Sequence, residues 1–242
     1  MSSLVKESRH GIEYWRGDPS CQAAHDSFLG WITTELTPTF RVSGPSDDYA
    51  RNILMGNLGE CLTFFVAYQN GFDSYHAFPA NALTPLASNS KTSIDLLWLH
   101  LGASSKEDLA ILQEVKATGG HSLAYADKLL DDYAKLFGTN YQLTLKTRLD
   151  DVKAQLRFRH KLPAEVCARV SELGGQSPAT SPRIELLPTL VHDRSSSQPA
   201  PKMIAIRTSL LADGWDANSV RLWTISLSEL VPRLIRLSKG QR

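Results

Sequence analysis

The most informative part of the chain is SIDLLWLHLGASSKEDLAILQEVKAT, residues 93–118. It contains two apolar runs, 93–101 and 109–118, joined by a short polar connection that includes Gly102. Two apolar runs of this length with turn residues between them are typical of neighbouring strands in a hairpin. The second run ends at Gly119-Gly120, which terminates a strand. The stretch therefore predicts a β-hairpin.

Three charged residues interrupt this apolar hairpin. Asp95 lies near the start of the first strand, and Glu114 and Lys116 lie near the end of the second. Strand side chains alternate between faces, so Glu114 and Lys116 are predicted to point the same way, with Asp95 beside Glu114. Two carboxylates on adjacent strands suit Mg²⁺ or Mn²⁺, and the backbone carbonyl of Val115 could complete the site. The lysine could then orient a water and stabilise charge on a phosphoryl oxygen.

An isolated E-x-K pattern has a simpler interpretation, because it is common by accident. Glu114 and Lys116 could form a salt bridge on a solvated strand face, with no role in catalysis. Asp95, placed at hairpin distance from Glu114, favours the functional interpretation.

A helix predicted over residues 47–68 adds a further carboxylate. Beside its apolar face lie Gly56, Gly59 and Glu60, at positions i, i+3 and i+4. Each glycine inside a helix costs about 1 kcal/mol relative to alanine, and close approach to a sheet or a ligand would justify that cost. The same approach would bring Glu60 to the site. The alternative is ordinary helix packing with Glu60 in solvent.

The rest of the chain predicts a mixed sheet flanked by helices, an α/β fold. Periodicity and turn residues predict further helices at 122–137, 143–160, 163–174 and from Ser228 through 237. They also predict strands at 40–42, 75–78, 183–192, 203–208 and 221–226.

The order of Glu60, Ile94-Asp95 and Glu114-Val115-Lys116 along the chain resembles the PD-(D/E)XK nuclease superfamily. The resemblance covers about residues 50–140, with Ile94 in place of the proline in the family name. It implies a restriction-endonuclease-like αβββαβ core with a return strand at 183–192. It also implies that Asp95, Glu114 and Val115 bind the metal, Glu60 assists and Lys116 activates water. On this basis residues 1–46 are an N-terminal extension, and 47–242 form the nuclease-like domain with a helical insertion at about 141–175.

The layout is also similar to the nuclease subunits of bacterial anti-phage systems, such as the Hachiman nuclease, which works with a separate helicase. The G-x-x-G-E helix containing Glu60 and the later Gly214-Trp215 carry this resemblance. It implies DNA as substrate and a helicase or ATPase as partner. The chain has no Walker A motif, so we expect any motor activity to come from that partner.

Composition and net charge exclude some classes of protein. The chain has 242 residues, 42% of them apolar, and a formal net charge of +1, which excludes DNA binding through bulk charge alone. No apolar run reaches the roughly 18 residues of a membrane helix. The three cysteines are scattered, which is typical of a cytoplasmic protein without a disulfide framework.

Charge is nevertheless unevenly distributed along the chain. Residues 106–132 have a local net charge of −3, while residues 141–169 and 221–242 each have +4. Within the first basic segment, Lys146, Lys153 and Arg157 lie opposite the leucine face of a predicted helix. They are predicted to contact the DNA backbone, although a solvated amphipathic face would look the same.

The leading hypothesis is thus a metal-dependent endonuclease that hydrolyses DNA phosphodiesters. A second hypothesis is a non-catalytic nucleic-acid-binding or assembly subunit built on a nuclease-like fold. A third is an unrelated α/β protein in which E-x-K is a salt bridge. The form of the DNA, the oligomeric state and the identity of the partner stay open at this point.

Overall fold

The structure of the chain, a computed structural model, describes residues 4–9, 12–17, 48–79, 94–120, 122–135, 141–158, 160–173 and 183–232. The fold is mixed α/β, as predicted, with helices packed on strands from two hydrogen-bonded sheets. The strand predicted at 40–42 lies outside the described residues. None of the helices in the described ranges is long and apolar enough to span a membrane.

The helices largely follow the predicted positions. Their bounds are α1 Asp48–Ala67, α2 Lys128–Ala134, α3 Tyr141–Phe158, α4 Ala164–Leu173 and α5 Pro199–Ala212. A 3-10 turn at Ala124–Asp127 leads into α2. After α1 the chain makes a turn at Tyr68–Phe72, where Gly71 has a φ of +100°, a left-handed conformation that favours glycine.

Nine strands are described. They are β1 Leu4–Arg9, β2 Ile12–Gly17, β3 His76–Pro79, β4 Leu96–His100, β5 Leu109–Gln113, β6 Val115–Thr118, β7 Ile184–Leu186, β8 Thr189–Asp193 and β9 Leu222–Leu227. One sheet has the order β3-β4-β5-β7 and the other the order β1-β2-β9-β8-β6. The strands β1 and β2, from the predicted N-terminal extension, join the second sheet through parallel pairing of β2 with β9.

The predicted hairpin is confirmed by the antiparallel pairing of β4 with β5, in which Leu96 lies opposite Gln113. The single strand predicted at 109–118 is interrupted at Glu114, the one residue between β5 and β6. Beyond it, β6 pairs with β8 in the other sheet. The strand predicted at 183–192 is divided in the same way, into β7 and β8. The two chain segments therefore leave one sheet and enter the other side by side.

The prediction of a strand at 203–208 is wrong, since these residues lie within α5. The buried side chains of α5 are Met203, Ile206 and Leu210, which follow the spacing i, i+3 and i+7 of a helix face. The four successive apolar residues at 203–206 are too few to distinguish the helical period of 3.6 from the strand period of 2, and the prolines that open the helix are the better signal.

Helices cover both faces of the strands. The buried side chains of α1 pack with Trp98, Ile111 and Val115 in one apolar cluster. Those of the other four helices pack with Leu97 and Leu112 in a second cluster. Because neighbours along β4 and β5 fall in different clusters, both faces of these strands are buried. This accounts for their continuous apolar sequences.

Candidate active site

Asp95 and Glu114 meet where the hairpin strands leave the first sheet. The pairing of Leu96 with Gln113 places Asp95, one residue before β4, opposite Glu114, one residue after β5. An Asp95 carboxylate oxygen, Oδ2, accepts a hydrogen bond from the Val115 backbone N–H at 2.8 Å. The two carboxyl groups also share a hydrogen bond, and Glu114 is only 5% exposed. The structure thus brings together the two carboxylates that the sequence predicted to be neighbours.

The surroundings of the pair favour the protonated form of its carboxyl groups. Burial raises the pKa of both, and the pKa of Glu114 is raised well above its ordinary value because the Asp95 charge adds to the effect of burial. The shared hydrogen bond lowers the pKa of Asp95 and raises that of Glu114. Of the two carboxyl groups, Glu114 is therefore the one whose protonated form the site favours more strongly.

The backbone of Val115 is directed toward the same carboxylates. Its N–H donates to Asp95, while the carbonyl of the preceding residue, Glu114, accepts a hydrogen bond from the backbone N–H of Thr189 on β8 at 2.9 Å. In an extended strand the N–H and C=O of one residue point to the same edge. The Val115 carbonyl consequently faces the edge where Asp95 lies.

Lys116 is held between two carboxylates. Its Nζ lies 2.6 Å from Asp132 Oδ2 and 3.9 Å from Glu114 Oε2. Burial acts to lower the pKa of Lys116, but the charges of Asp95, Glu114 and Asp132 outweigh burial and raise it. The side chain is therefore a fixed cation. It can stabilise negative charge and orient a water, but it cannot act as a general base at neutral pH.

The sequence did not indicate two residues of α2, Asp132 and Tyr133, that complete the surroundings of Lys116 and Glu114. Asp132 binds Lys116, and Lys135 makes a second ion pair with the same carboxylate at 2.5 Å. Tyr133 is fully buried, and its hydroxyl accepts from the Glu114 N–H at 3.1 Å and donates to the Leu112 carbonyl at 3.0 Å. The acidic pair at 131–132 next to an aromatic residue was the available signal, because a buried lysine needs a partner.

Glu60 lies half-buried on α1, next to Gly59. A Cβ added at Gly59 would lie 2.7 Å from the Ala117 Cβ, so the close approach of this helix to a sheet is confirmed at Gly59. Ala117 and Lys116 are successive strand residues and point to opposite faces. Among the residues the structure describes, no three His, Cys, Asp or Glu side chains are placed to share one metal ion. The role of Glu60 at the site stays a prediction.

The donor set at the carboxyl pair fits a hard divalent cation. Asp95, Glu114 and the Val115 carbonyl offer oxygen atoms only, which are the ligands that Mg²⁺ and Mn²⁺ prefer. Magnesium commonly takes one or two protein carboxylates and completes its shell with water and substrate phosphate. A bound cation would also oppose the protonation that burial favours at this pair.

The predicted DNA-contacting residues lie on α3. Lys146 and Arg157 are exposed, and Lys153 is half-buried and donates to Ser171 Oγ at 3.2 Å. The opposite face of α3 is buried in the core, as predicted, through Leu145, Leu149, Val152 and Leu156.

Two other arginines of the basic segment 141–169 serve the fold. Arg148 donates to the Phe78 carbonyl at 2.7 Å. Arg169 forms an ion pair with the buried Asp108 and also donates to the Gly102 carbonyl at 2.8 Å. The basic surface available to a ligand is therefore smaller than the sequence count implied.

No protein-family model matches the chain, and no curated protein matches its sequence.

Proposed function

We propose that this chain is a metal-dependent endonuclease that hydrolyses DNA phosphodiester bonds, built on a restriction-endonuclease-like core. The observation that carries the proposal is the meeting of Asp95, Glu114 and Lys116 in one largely buried cluster at the switch between two sheets. A buried group of this kind, with strongly shifted pKa values, marks a candidate for catalysis.

Each residue of the cluster has a defined part in the proposed reaction. Asp95, Glu114 and the Val115 carbonyl would hold Mg²⁺ or Mn²⁺, which supplies Lewis-acid charge at the phosphoryl oxygen and acidifies a bound water. Lys116 orients the attacking water and stabilises charge on the non-bridging oxygens. A bond forms between the water oxygen and phosphorus, and the bond to the leaving ester oxygen breaks. The water loses a proton to solvent and the leaving oxygen gains one, giving a hydroxyl and a phosphate monoester.

The wider biological role is proposed from the resemblance stated above. We place the enzyme in the cytoplasm as an effector of anti-phage defence that acts with a separate helicase or ATPase. The formal net charge of +1 supports a need for such delivery, because the chain has no large positive field of its own.

A plasmid-nicking assay with Mg²⁺ tests the proposed activity. We expect the wild type to nick supercoiled DNA, and Asp95→Asn, Glu114→Gln and Lys116→Met to lose at least about 100-fold in rate, as expected when a group stabilising the transition state is removed. Glu165→Gln, which changes an exposed carboxylate on α4, is the matched control and should behave as wild type. Equal nicking by all variants, each shown to be folded by its thermal unfolding midpoint, would refute the assignment.

A non-catalytic DNA-binding or assembly subunit is the second candidate. The observation that favours it is the 2.6 Å ion pair of Lys116 with Asp132, since a lysine with this partner could be purely structural. DNA binding that needs no metal, without cleavage even beside a helicase, would establish this candidate.

A further inference from the structure

A cavity of about 700 Å³ opens at the carboxyl end of β6, next to the candidate active site. One wall is the chain segment 117–120, and a second is the turn of α1 that contains Met55 and Gly56. Tyr125, in the 3-10 turn that leads into α2, forms a third wall. The cavity thus shares β6 with Lys116, and the turn that carries Tyr125 continues into the helix that carries Asp132.

We propose that this cavity binds the base of an unpaired nucleotide adjacent to the phosphodiester that is cut. The inference rests on the proposed nuclease function and specifies its substrate as a single strand or a frayed end. Four properties of the cavity carry it: its volume, its exposed aromatic wall, its charge and its rigid backbone rim.

The volume and the aromatic wall suit a flat ring system. Pockets that bind small organic groups usually measure about 300–1,000 Å³, which includes this one. Tyr125 is 53% exposed, although it is a large aromatic side chain. An exposed aromatic face beside a concave site is the usual platform on which unpaired bases stack.

The distribution of charge separates the base from its phosphate. None of the described residues that line the cavity is charged, so these residues offer an anionic group no ion-pair partner. The nearest cation along β6 is Lys116, directly before Ala117 in the cavity wall. Thr118, which also lines the cavity, lies on the same face of β6 as Lys116, so a nucleotide with its base in the cavity would extend its phosphate along that face toward Lys116 and the carboxyl pair.

The rim is made of backbone that is fixed in place. Thr118 Oγ1 donates to the Ser122 carbonyl at 3.3 Å, and Ser196 Oγ donates to the Gly120 carbonyl at 3.0 Å. Gly120 is exposed, and a Cβ added there would meet only the Ser122 backbone nitrogen at 3.9 Å, so a ligand can approach the main chain closely at this position. Such a rim favours little base specificity, because it presents few side-chain donors or acceptors.

A base inside a duplex is stacked and paired, and it cannot enter this cavity without being extruded, which costs a few kcal/mol. We therefore expect metal-free binding of single-stranded oligothymidine to be at least about tenfold tighter than binding of a blunt duplex of the same length. The protein for this assay is Glu114→Gln, so that cleavage cannot interfere.

Variants in this Glu114→Gln background test the site directly. Tyr125→Ala should weaken binding of oligothymidine about tenfold, whereas Tyr125→Phe keeps the ring and should bind like the parent. Gly56→Leu should weaken binding similarly by filling the cavity, because nothing lies within 4 Å of a Cβ added at Gly56. The matched control is Tyr68→Ala, which removes a comparably exposed tyrosine (49%) that stacks on Phe64 outside the cavity.

The outcomes separate the two proposals. Unchanged binding in both Tyr125→Ala and Gly56→Leu, or equal affinity for duplex and single strand, overturns the base site even if wild type cleaves DNA. Binding that depends on Tyr125 without any cleavage by wild type overturns the nuclease and retains the base site.

Discussion

At the scale of single residues, Glu114 has the most unusual position in the molecule. It is the single residue between β5 and β6, which belong to different sheets, it is buried, and its backbone N–H donates to the Tyr133 hydroxyl. Burial and the neighbouring Asp95 charge raise its pKa, so the metal-free site favours its protonated form. The raised pKa of Glu114 can be tested through the stability of the protein, without any assay of activity.

Glu114→Gln should stabilise the metal-free protein at neutral pH, because an amide imitates the protonated acid. The folded protein retains the Glu114 proton above the ordinary pKa of 4.5, so wild-type stability decreases as pH rises from that value toward the folded pKa. The stabilisation should be absent near pH 4 and reach about 1–3 kcal/mol at pH 7–8. Urea unfolding from pH 4 to 8 measures it. A constant difference between variant and wild type at every pH would contradict the assignment, and Glu165→Gln should show no difference.

Asp132→Asn should remove the ion pair that positions Lys116, while leaving Asp95 and Glu114 in place. Removing the partner at 2.6 Å removes one cause of the raised Lys116 pKa, so the alkaline limit of the nicking rate should move to lower pH. We expect about a tenfold lower rate at pH 8, the size of a displaced positioning contact. The pH–rate profile is the measurement.

The control for this prediction is Lys135→Ala. It removes the other partner of Asp132 from a lysine that is 61% exposed, and exposed ion pairs contribute little. An Asp132→Asn variant with a wild-type pH profile would mean that the ion pair serves only the fold.

The sequence was sufficient to predict the contact of Asp95 with Glu114, because antiparallel pairing fixes which residues lie opposite each other. It was not sufficient to predict Asp132 as the partner of Lys116. That contact depends on how α2 docks against β6, and helix periodicity contains no information on docking.

At the scale of elements, the close contact between α1 and β6 depends on a glycine. Gly59 lies against Ala117, while Gly56, one turn earlier, lines the open cavity. The two glycines looked alike in the sequence, and the structure gives them different surroundings. A helix that carried a side chain at 59 could not approach the strand as closely.

Gly59→Ala should therefore destabilise the protein although alanine favours helix. The added Cβ would lie 2.7 Å from the Ala117 Cβ, and separating α1 from β6 should cost about 1–3 kcal/mol. Gly56→Ala is the matched control, and its stability should be unchanged or increased by up to about 1 kcal/mol. Chemical denaturation measures both. Equal stability of the two variants would show that α1 is not held against the strand at Gly59.

Elements were predicted correctly where the apolar pattern extended over many residues, and incorrectly where the pattern was short. The amphipathic patterns behind α1 and α3 extend over 20 and 18 residues, and both helices were found. The short segment 203–208 was assigned to a strand because its four successive apolar residues fit either the helical or the strand period. The break at Glu114 has no local signal, since β5 and β6 have one continuous sequence pattern and differ only in their partners.

At the scale of the whole molecule, some basic residues of the segment 141–169 stabilise the fold, and others are exposed to an external ligand. Of the 7 Lys and Arg in residues 141–169, Arg148 and Arg169 are directed into hydrogen bonds and an ion pair within the protein. Lys146 and Arg157 are exposed on α3 and can meet an external ligand. Lys153 is tied to Ser171 and should contribute less.

The double variant Lys146→Glu/Arg157→Glu should bind DNA more weakly for any base sequence. Loss of two phosphate contacts should reduce the slope of log affinity against log salt by about 2, with the largest loss of affinity at low salt. Fluorescence anisotropy with labelled DNA over a salt series measures this slope. Lys106→Glu/Lys128→Glu makes the same change in net charge at exposed residues elsewhere and should leave the slope closer to that of wild type. Identical slopes for the two double variants would remove α3 from the interface.

The parallel pairing of β2 with β9 has a consequence for the way the chain folds. Ile12 lies opposite Leu222, so 210 residues separate two directly paired positions. At about 5–20 residues per second of synthesis, the β1–β2 hairpin waits roughly ten to forty seconds before its partner strand exists. During that time the edge of β2 that will bind β9 has no strand beside it, and the contact order of this pairing makes its formation slow. Completion of the larger sheet is therefore a late event in folding.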